Sequence, residues 1–459
     1  MKSTVRKLLS VLLAALLFAM AVFPMSISAA NSDGISAAQY LKQLNALIAR
    51  YPCKNAEPPN RITVKTNSNH SLSDTQGAVA SVEGYNNWHV LQFETVAQTT
   101  AAVAYYKTKS YVQNVMQSNV AKLVSPIKVG VGEEWKEGEP LSWGTAKVGI
   151  DKLLTALADK DLPETIVAIL DTGLDYKHPY IKSHADRIVR GANNSSRDGN
   201  GHGTHCAGIV LENSPPNVKV ASYQVLNDWG SGEWLPVVAA IYTAVDDGAD
   251  VVSMSMGGYN DYSDIYTLFV DAVNYANNND CTVVVSSGND FMNASDFLPA
   301  AVEEAVTVSA SNKDNTLALF SNYGDVVDIA APGGSASYSD QSDGINSSVP
   351  FNCIESQGTY YDRWQGTSMA CPFVAAAAAT LKSMRPAYAP ADIQATLKQT
   401  SLRPAGWNTE EGGDGVLLVS AFENLPETPT EKTTSGVDRS QWDIWTWICY
   451  IFFFGWIWM

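Results

Sequence analysis

Positive charge is the first thing this sequence is short of. It has 30 Lys+Arg against 47 Asp+Glu in 459 residues, a formal net charge of −17, and no long basic run. Nucleic-acid affinity rests on neutralising phosphates, so a nucleic-acid partner is excluded. Cysteine is scarce as well. Six in 459 residues cannot supply the crosslinks that hold small secreted scaffolds together. Glycine (32) and proline (20) stay at ordinary levels, which sets fibrous proteins aside. Apolar residues, in contrast, make up 46% of the chain, so it is not disordered. At roughly 100–200 residues per domain, its length allows two to four domains around a large core.

The two ends differ from the rest. Lys2, Arg6 and Lys7 precede an apolar run over 8–22, and Ser28, Ala29 and Ala30 follow it. A basic start, a short apolar core and small residues describe a secretory signal peptide, expected over 1–30. That run of about 15 residues is short for ~30 Å of hydrocarbon. At the other end, a Pro/Thr/Glu-rich linker is expected over 425–441. Five of the twelve tryptophans, at 442, 445, 447, 456 and 458, lie in the aromatic segment after it. Tryptophan favours the headgroup level of a bilayer, so 442–459 is expected to be a membrane-associating tail that retains the exported protein at the cell envelope. A tail folded back on the protein's own surface is the competing reading.

Between these ends, two textures follow one another. Residues 61–65 and 89–95 read as strands and 99–109 as an Ala-rich helix, giving a small α+β unit within 31–128. A Gly/Glu-rich connector covers 129–144. From 145 to 424 strands alternate with helices. Residues 165–170 form an unbroken apolar run, as expected of a strand buried on both faces. Further strands are expected at 218–226, 250–254, 282–286, 305–310 and 326–329, with helices at 235–247, 266–279 and 369–383. This alternation predicts an α/β fold, a doubly wound, mostly parallel sheet with helices on both faces. Functional residues of such sheets gather at the carboxyl ends of the strands.

Three short segments carry chemistry. Asp171 directly follows the apolar run, where a carboxylate can orient a histidine. His202 stands in Gly201-His202-Gly203-Thr204-His205-Cys206-Ala207-Gly208, at the start of a helix among small residues that let a substrate backbone come close. Ser368 stands in Gln365-Gly366-Thr367-Ser368-Met369-Ala370-Cys371-Pro372, ahead of Phe373, Val374 and five alanines. A helix N-terminus there favours the negative charge that develops in acyl transfer. Pro372 is expected in the first turn of that helix, where proline is tolerated. Each segment alone is weak, but the order Asp, His, Ser on an α/β chain is one of the known triad arrangements.

In these segments the chain resembles the subtilisin-type serine proteases, the subtilases. Ser253-Met254-Ser255-Met256-Gly257-Gly258, Val284-Val285-Ser286-Ser287-Gly288-Asn289 and Ala330-Ala331-Pro332-Gly333 extend the likeness through about 145–420. The resemblance implies a subtilisin-like catalytic domain over 145–424, preceded by an inhibitory, ferredoxin-like prodomain. It implies that Asp171, His202 and Ser368 form the triad and that Asn289 is the side-chain donor of the oxyanion hole. It further implies that Ser255, Met256 and Gly257, with Ser286, Ser287 and Gly288, line the primary specificity pocket. Phe297 falls where many members carry a small residue at the pocket floor; it either shallows the pocket or turns into the core. The expected activity is that of an exported endopeptidase acting on polypeptides. It is made as a zymogen that cuts itself in the connector or in the few residues before it. A member that binds peptides without cutting them is the competing reading, but it requires a broken triad or oxyanion residue. No cofactor is expected. Tyr180 stands where calcium-binding members carry an Asp, and the loop at 212–217 is too short for a carbonyl cage, so the usual strong calcium site is not expected. Phe373 replaces a structural histidine of many members. Cys206 and Cys371 flank the proposed catalytic residues and are expected to be buried thiols, although a bridge between them is open at this level.

Overall fold

In a computed structural model, the residues described are 35–51, 60–67, 72–118, 120–123, 126–136, 140–189, 197–260, 263–335, 341–356 and 358–426. The expected signal peptide and aromatic tail lie outside them, as does the linker beyond Pro426. The N-terminal unit opens with α1 (Ala37–Arg50), started by Ser36 and Gln39 in a reciprocal capping box. Its buried residues Tyr40, Leu41, Leu44 and Leu47 recur at helical spacing. Strands β1 (Arg61–Thr66), β2 (Ala80–Tyr85), β3 (Trp88–Gln92) and β4 (Val112–Gln117) pair antiparallel in the order β2-β3-β1-β4, with α2 (Val96–Tyr106) between β3 and β4. The strand expected at 89–95 stops at Gln92 because Thr95 turns its hydroxyl to the backbone N–H of Gln98 and caps α2.

Two further strands join this unit to the remainder. β5 (Val120–Leu123) leaves the N-terminal sheet, and β6 (Ile127–Val131) follows it. Val129 to Val131 were expected in an exposed connector. They are instead the end of β6, with Val129 only 6% exposed.

After α3 (Trp143–Val148) and α4 (Ile150–Leu157), the strands β7 (Thr165–Asp171), β8 (Ile188–Val189), β9 (Val218–Gln224), β11 (Val251–Met254), β13 (Thr282–Ser286), β15 (Val306–Ser311) and β16 (Ile329–Pro332) build a seven-stranded sheet, with the short helix α5 (Pro179–Ser183) between β7 and β8. Its order is β16-β15-β13-β11-β7-β9-β8 and every pairing is parallel. Val167 and Ile169 of β7 face one hydrophobic cluster, which includes residues of α6 (His202–Glu212) and α9 (Thr367–Met384). Ala168 and Leu170 face a second, with residues of α7 (Trp234–Asp246) and α8 (Ser263–Asn278). Alternate side chains thus enter opposite cores, which is why the strand reads as continuously apolar. The sheet is mostly parallel with helices on both faces, as expected.

Short strands beyond the main sheet complete the frame. β10 (Ser231–Glu233) and β12 (Met256–Tyr259) take β5 between them, and β12 continues to β14 (Phe297–Leu298). β17 (Ile345–Ser348) pairs with β18 (Tyr361–Gln365), whose other edge carries β6. The strand expected at 326–329 begins only at Ile329, because Val326 and Val327 pack in a satellite cluster with Phe297.

Candidate active site

β7 delivers Asp171 to the carboxyl edge of the sheet, fully buried, with Oδ1 accepting from the Thr172 N–H at 2.7 Å. Helix α6 starts with His202. It can approach that edge because Gly203 has no side chain: a Cβ there would lie 2.2 Å from the Gly173 carbonyl. His202 Nδ1 lies 2.9 Å from each Asp171 carboxylate oxygen. Its Nε2 is buried with no hydrogen-bond partner among the described residues. With Nδ1 held by a carboxylate, Nε2 is the nitrogen able to accept a proton.

The loop before His202 is held by a residue the sequence reading passed over. Asp198 accepts from the N–H groups of Asn200 (3.1 Å), Gly201 (2.8 Å) and Thr204 (2.9 Å) and from the hydroxyls of Thr204 (2.7 Å) and Thr172 (2.9 Å). Thr172 Oγ1 in turn accepts from Gly203 N at 2.9 Å, tying the Asp171 strand to the His202 helix. Burial raises the Asp198 carboxyl above its ordinary range, opposed by these donors. The Asp-Gly-Asn-Gly text at 198–201 is a turn signal that could have exposed it.

Ser368 is the second residue of α9, so its N–H is one that the helix itself cannot satisfy. Its hydroxyl donates to the Ser255 carbonyl at 3.3 Å. Pro372 is not in the first turn, as expected, but one turn further in. There it withholds the N–H that would bond the Ser368 carbonyl. Ser255 Oγ donates to that carbonyl instead, at 2.9 Å, and the Cys206 thiol does so at 3.5 Å. Asn289, half-buried after β13, accepts the Thr367 N–H and hydroxyl on Oδ1, both at 2.9 Å. Its Nδ2 is therefore the end turned towards Gly366, where a Cβ would come within 3.1 Å of it. The Ser368 N–H and Asn289 Nδ2 are two donors able to converge on one oxygen in front of Ser368.

Of the six expected pocket residues, Ser255, Met256 and Gly257 lie at the start of β12 and Ser286, Ser287 and Gly288 at the end of β13. Met256 and Gly257 pair with Leu123 and Lys122 of β5, while Ser255 touches Ser368. Ser286, Ser287 and Gly288 are drawn beside α9: Gly288 N donates to Thr367 Oγ1 at 3.2 Å, and Asn322 Nδ2 donates to the Ser287 carbonyl at 3.0 Å. Phe297 is 5% exposed and packs with Ala294, Ala300 and Val327.

Cys206 and Cys371 are both free and buried, so no bridge joins them. Burial pushes the Cys371 thiol up to about 11 and Cys206 well above its ordinary value, so neither is a ready thiolate. The Tyr180 hydroxyl, at the position where calcium-binding members carry an Asp, and the Leu141 N–H each donate to the Glu212 carboxylate, at 2.9 Å. Both carboxylate oxygens thus have protein donors. Among the described residues, the potential metal ligands that cluster are Asp171, His202 and Cys206, which are the acid and base above plus a protonated thiol.

The profile of the Subtilase family matches residues 163–439, a span that contains Asp171, Asp198, His202, Asn289 and Ser368. Thermitase of Thermoactinomyces vulgaris is 35% identical over 257 residues, covering 53% of this chain and 83% of its own length. An intracellular serine protease of Paenibacillus polymyxa is 32% identical over 297 residues, covering 59% of this chain and 84% of its own. Fervidolysin from Fervidobacterium pennivorans, described as a keratinolytic enzyme related to subtilisin, shares the fold with a TM-score of 0.64 at 24% identity. That likeness covers 82% of this chain and 62% of fervidolysin.

Proposed function

The chain belongs to the subtilase family and is a subtilisin-like serine protease, and we propose that it is an endopeptidase whose first substrate is its own chain. In this reading Ser368 Oγ attacks a peptide carbonyl, His202 Nε2 takes the proton, and Asp171 holds the imidazole and balances its charge. The carbonyl oxygen, turning into an oxyanion, receives the Ser368 N–H and Asn289 Nδ2. His202 then protonates the leaving amine, and water releases the acyl group from Ser368 by the reverse steps. The protein supplies every group this requires, so no cofactor is invoked.

The observation that carries the zymogen reading is the path of β5 and β6. β5 lies between β10 and β12 as an added strand, the usual way a protease edge receives a peptide. β6 leaves along β18, the strand that runs into Ser368. β5 thus ends, and β6 begins, on strands that flank the nucleophile. Met256 pairs with Leu123 and Gly257 with Lys122, so β5 ends next to Ser255, the neighbour of Ser368. The expected cut therefore lies between Leu123 and Ile127, in the few residues before the connector. N-terminal sequencing of self-processed enzyme should find a terminus between 124 and 127, and Ser368→Ala should keep that stretch intact. A new terminus inside 129–140, or equal cutting of Ser368→Ala, would overturn the assignment.

Export through 1–30, inhibition by the N-terminal unit and retention at the envelope by 442–459 complete the proposal. Among the described residues no helix is long and apolar enough to cross a membrane. The relative named as intracellular means that family alone does not fix location. Deleting 437–459 should move activity from the membrane fraction to the medium; full-length enzyme soluble without detergent would contradict retention.

A further inference from the structure

Whichever bond between Leu123 and Ile127 is cut, β6 lies on its amine side, the side of the leaving group. The chain just before β6 is close to the nucleophile. A Cβ on Gly366 would lie 3.6 Å from Pro126 Cα, 3.6 Å from the Ser368 nitrogen and 3.1 Å from Asn289 Nδ2. Pro126 thus shares that glycine with both donors proposed for the oxyanion. From there Ile127 pairs with Gln365, Lys128 with Trp364, Gly130 with Arg363 and Val131 with Asp362 of β18. β6 therefore fills an edge on which the leaving half of a substrate could add as a strand.

The further anchors of this segment belong to the catalytic domain, not to the N-terminal unit. Val129 is buried beside Gly344, where a Cβ would meet its Cγ2 at 2.5 Å. Lys128 is ion-paired with Glu355, and Arg363 donates to the Val131 carbonyl at 3.1 Å and to the Glu133 carboxylate at 2.6 Å. Gly132 N donates to the Tyr361 carbonyl at 2.8 Å, and the Trp135 ring meets the Tyr180 ring edge-on at 5.2 Å. A cut before Ile127 breaks none of these contacts. The strand also stays covalently tethered, which holds its effective concentration at the cleft in the millimolar range. We propose that β6 remains on β18 in the processed enzyme as a second inhibitory segment that covers the leaving-group half of the cleft. The processed enzyme then favours substrates with a short leaving group until β6 is displaced or cut away. The proposal rests on the endopeptidase reading and on a cut between Leu123 and Ile127.

The test uses full-length chain allowed to process itself, with a site for a sequence-specific protease inserted between Lys136 and Pro140. Two substrates share every residue before the cut; one ends in p-nitroaniline and the other continues through a peptide as long as β6. Clipping at the inserted site, with mass spectrometry to show the strand gone, should raise kcat/KM for the tailed substrate about tenfold, through KM, and change the anilide less than about twofold. Gly132→Val, whose side chain would overlap Asn346 and Tyr361, should do the same without clipping. If that variant does not mature, the clipped enzyme decides. Before clipping, the backbone amides of 127–131 in processed enzyme should exchange with solvent as slowly as those of β18. Anilide hydrolysis reads the protease itself, and sequencing of the new terminus reads the cut, so failure of those readings is distinguishable from failure of this one. Fast exchange over 127–131, or an unchanged tailed-to-anilide ratio once the strand is gone, would overturn the inference.

Discussion

Asn289 and Asp198 carry the account at the residue scale. Asn289 has one end fixed by Thr367 and the other turned to the site, which is the preorganisation an oxyanion donor needs. Asn289→Ala should lower kcat by about 10²–10³ with little change in KM, the effect already known for the corresponding donor in a subtilisin. Unchanged kcat would remove Asn289 from the reaction. Asp198 touches no reacting atom and acts by holding His202. Asp198→Ala orphans several buried donors and should cost about 1–3 kcal/mol each for those that find no water. Urea unfolding in a Ser368→Ala background, which prevents self-digestion, measures it. The four residues proposed for the chemistry stood out in the sequence because their types and chain order are distinctive. Asp198 was not, because an aspartate in a Gly/Asn turn reads as local punctuation, and its partners Thr172 and Thr204 lie on other segments.

At the scale of elements, α9 is the informative one. Pro372 deprives the Ser368 carbonyl of its helical donor, and the hydroxyl of Ser255 replaces it. Ser255→Ala should therefore destabilise the protein by about 1–2 kcal/mol, and Pro372→Ala should relieve part of that loss by restoring a helical N–H. A double-mutant cycle on the Ser368→Ala background reads the coupling, and strict additivity would contradict it. The 3.6-residue and apolar-run patterns located six of the seven main-sheet strands and the helices α7, α8 and α9 to within a few residues, but not the two-residue β8. β5 and β6 escaped because each is short and mixed, and each is ordered by pairing with β10, β12 and β18, far along the chain. Strand propensity of this kind depends on the partner edge. The Gly/Glu text around 129–144 signalled a connector, while Val129 turned into the core.

On the scale of the whole molecule, buried titratable groups set the response to pH. His205 is fully buried against Trp364, ring centroids 4.6 Å apart, and burial pushes its imidazole down to about 3. Its folded value lies below its unfolded one, so between the two the unfolded chain binds the extra proton. Stability is then greatest above roughly pH 6.5 and falls by up to about 1.4 kcal/mol per unit as pH drops towards 3. The slope of unfolding free energy between about pH 4 and pH 7 should flatten in His205→Gln; an unchanged slope would assign it to other groups. Chelator should alter thermal stability little, since Glu212 is occupied by Tyr180 and Leu141; a large loss restored by calcium would disprove that. The doubly wound sheet was legible as a whole because continuous apolar runs report burial on two faces. The closure of the cleft by the chain's own strand was not, because it depends on register across distant segments. The central claim, an activated Ser368, is tested most directly with a fluorophosphonate probe, which forms a covalent bond with an activated serine. Processed wild-type enzyme should carry the label on the peptide containing Ser368, and Ser368→Ala should carry none. Processed wild type that stays unlabelled, or a variant labelled equally, would contradict the account.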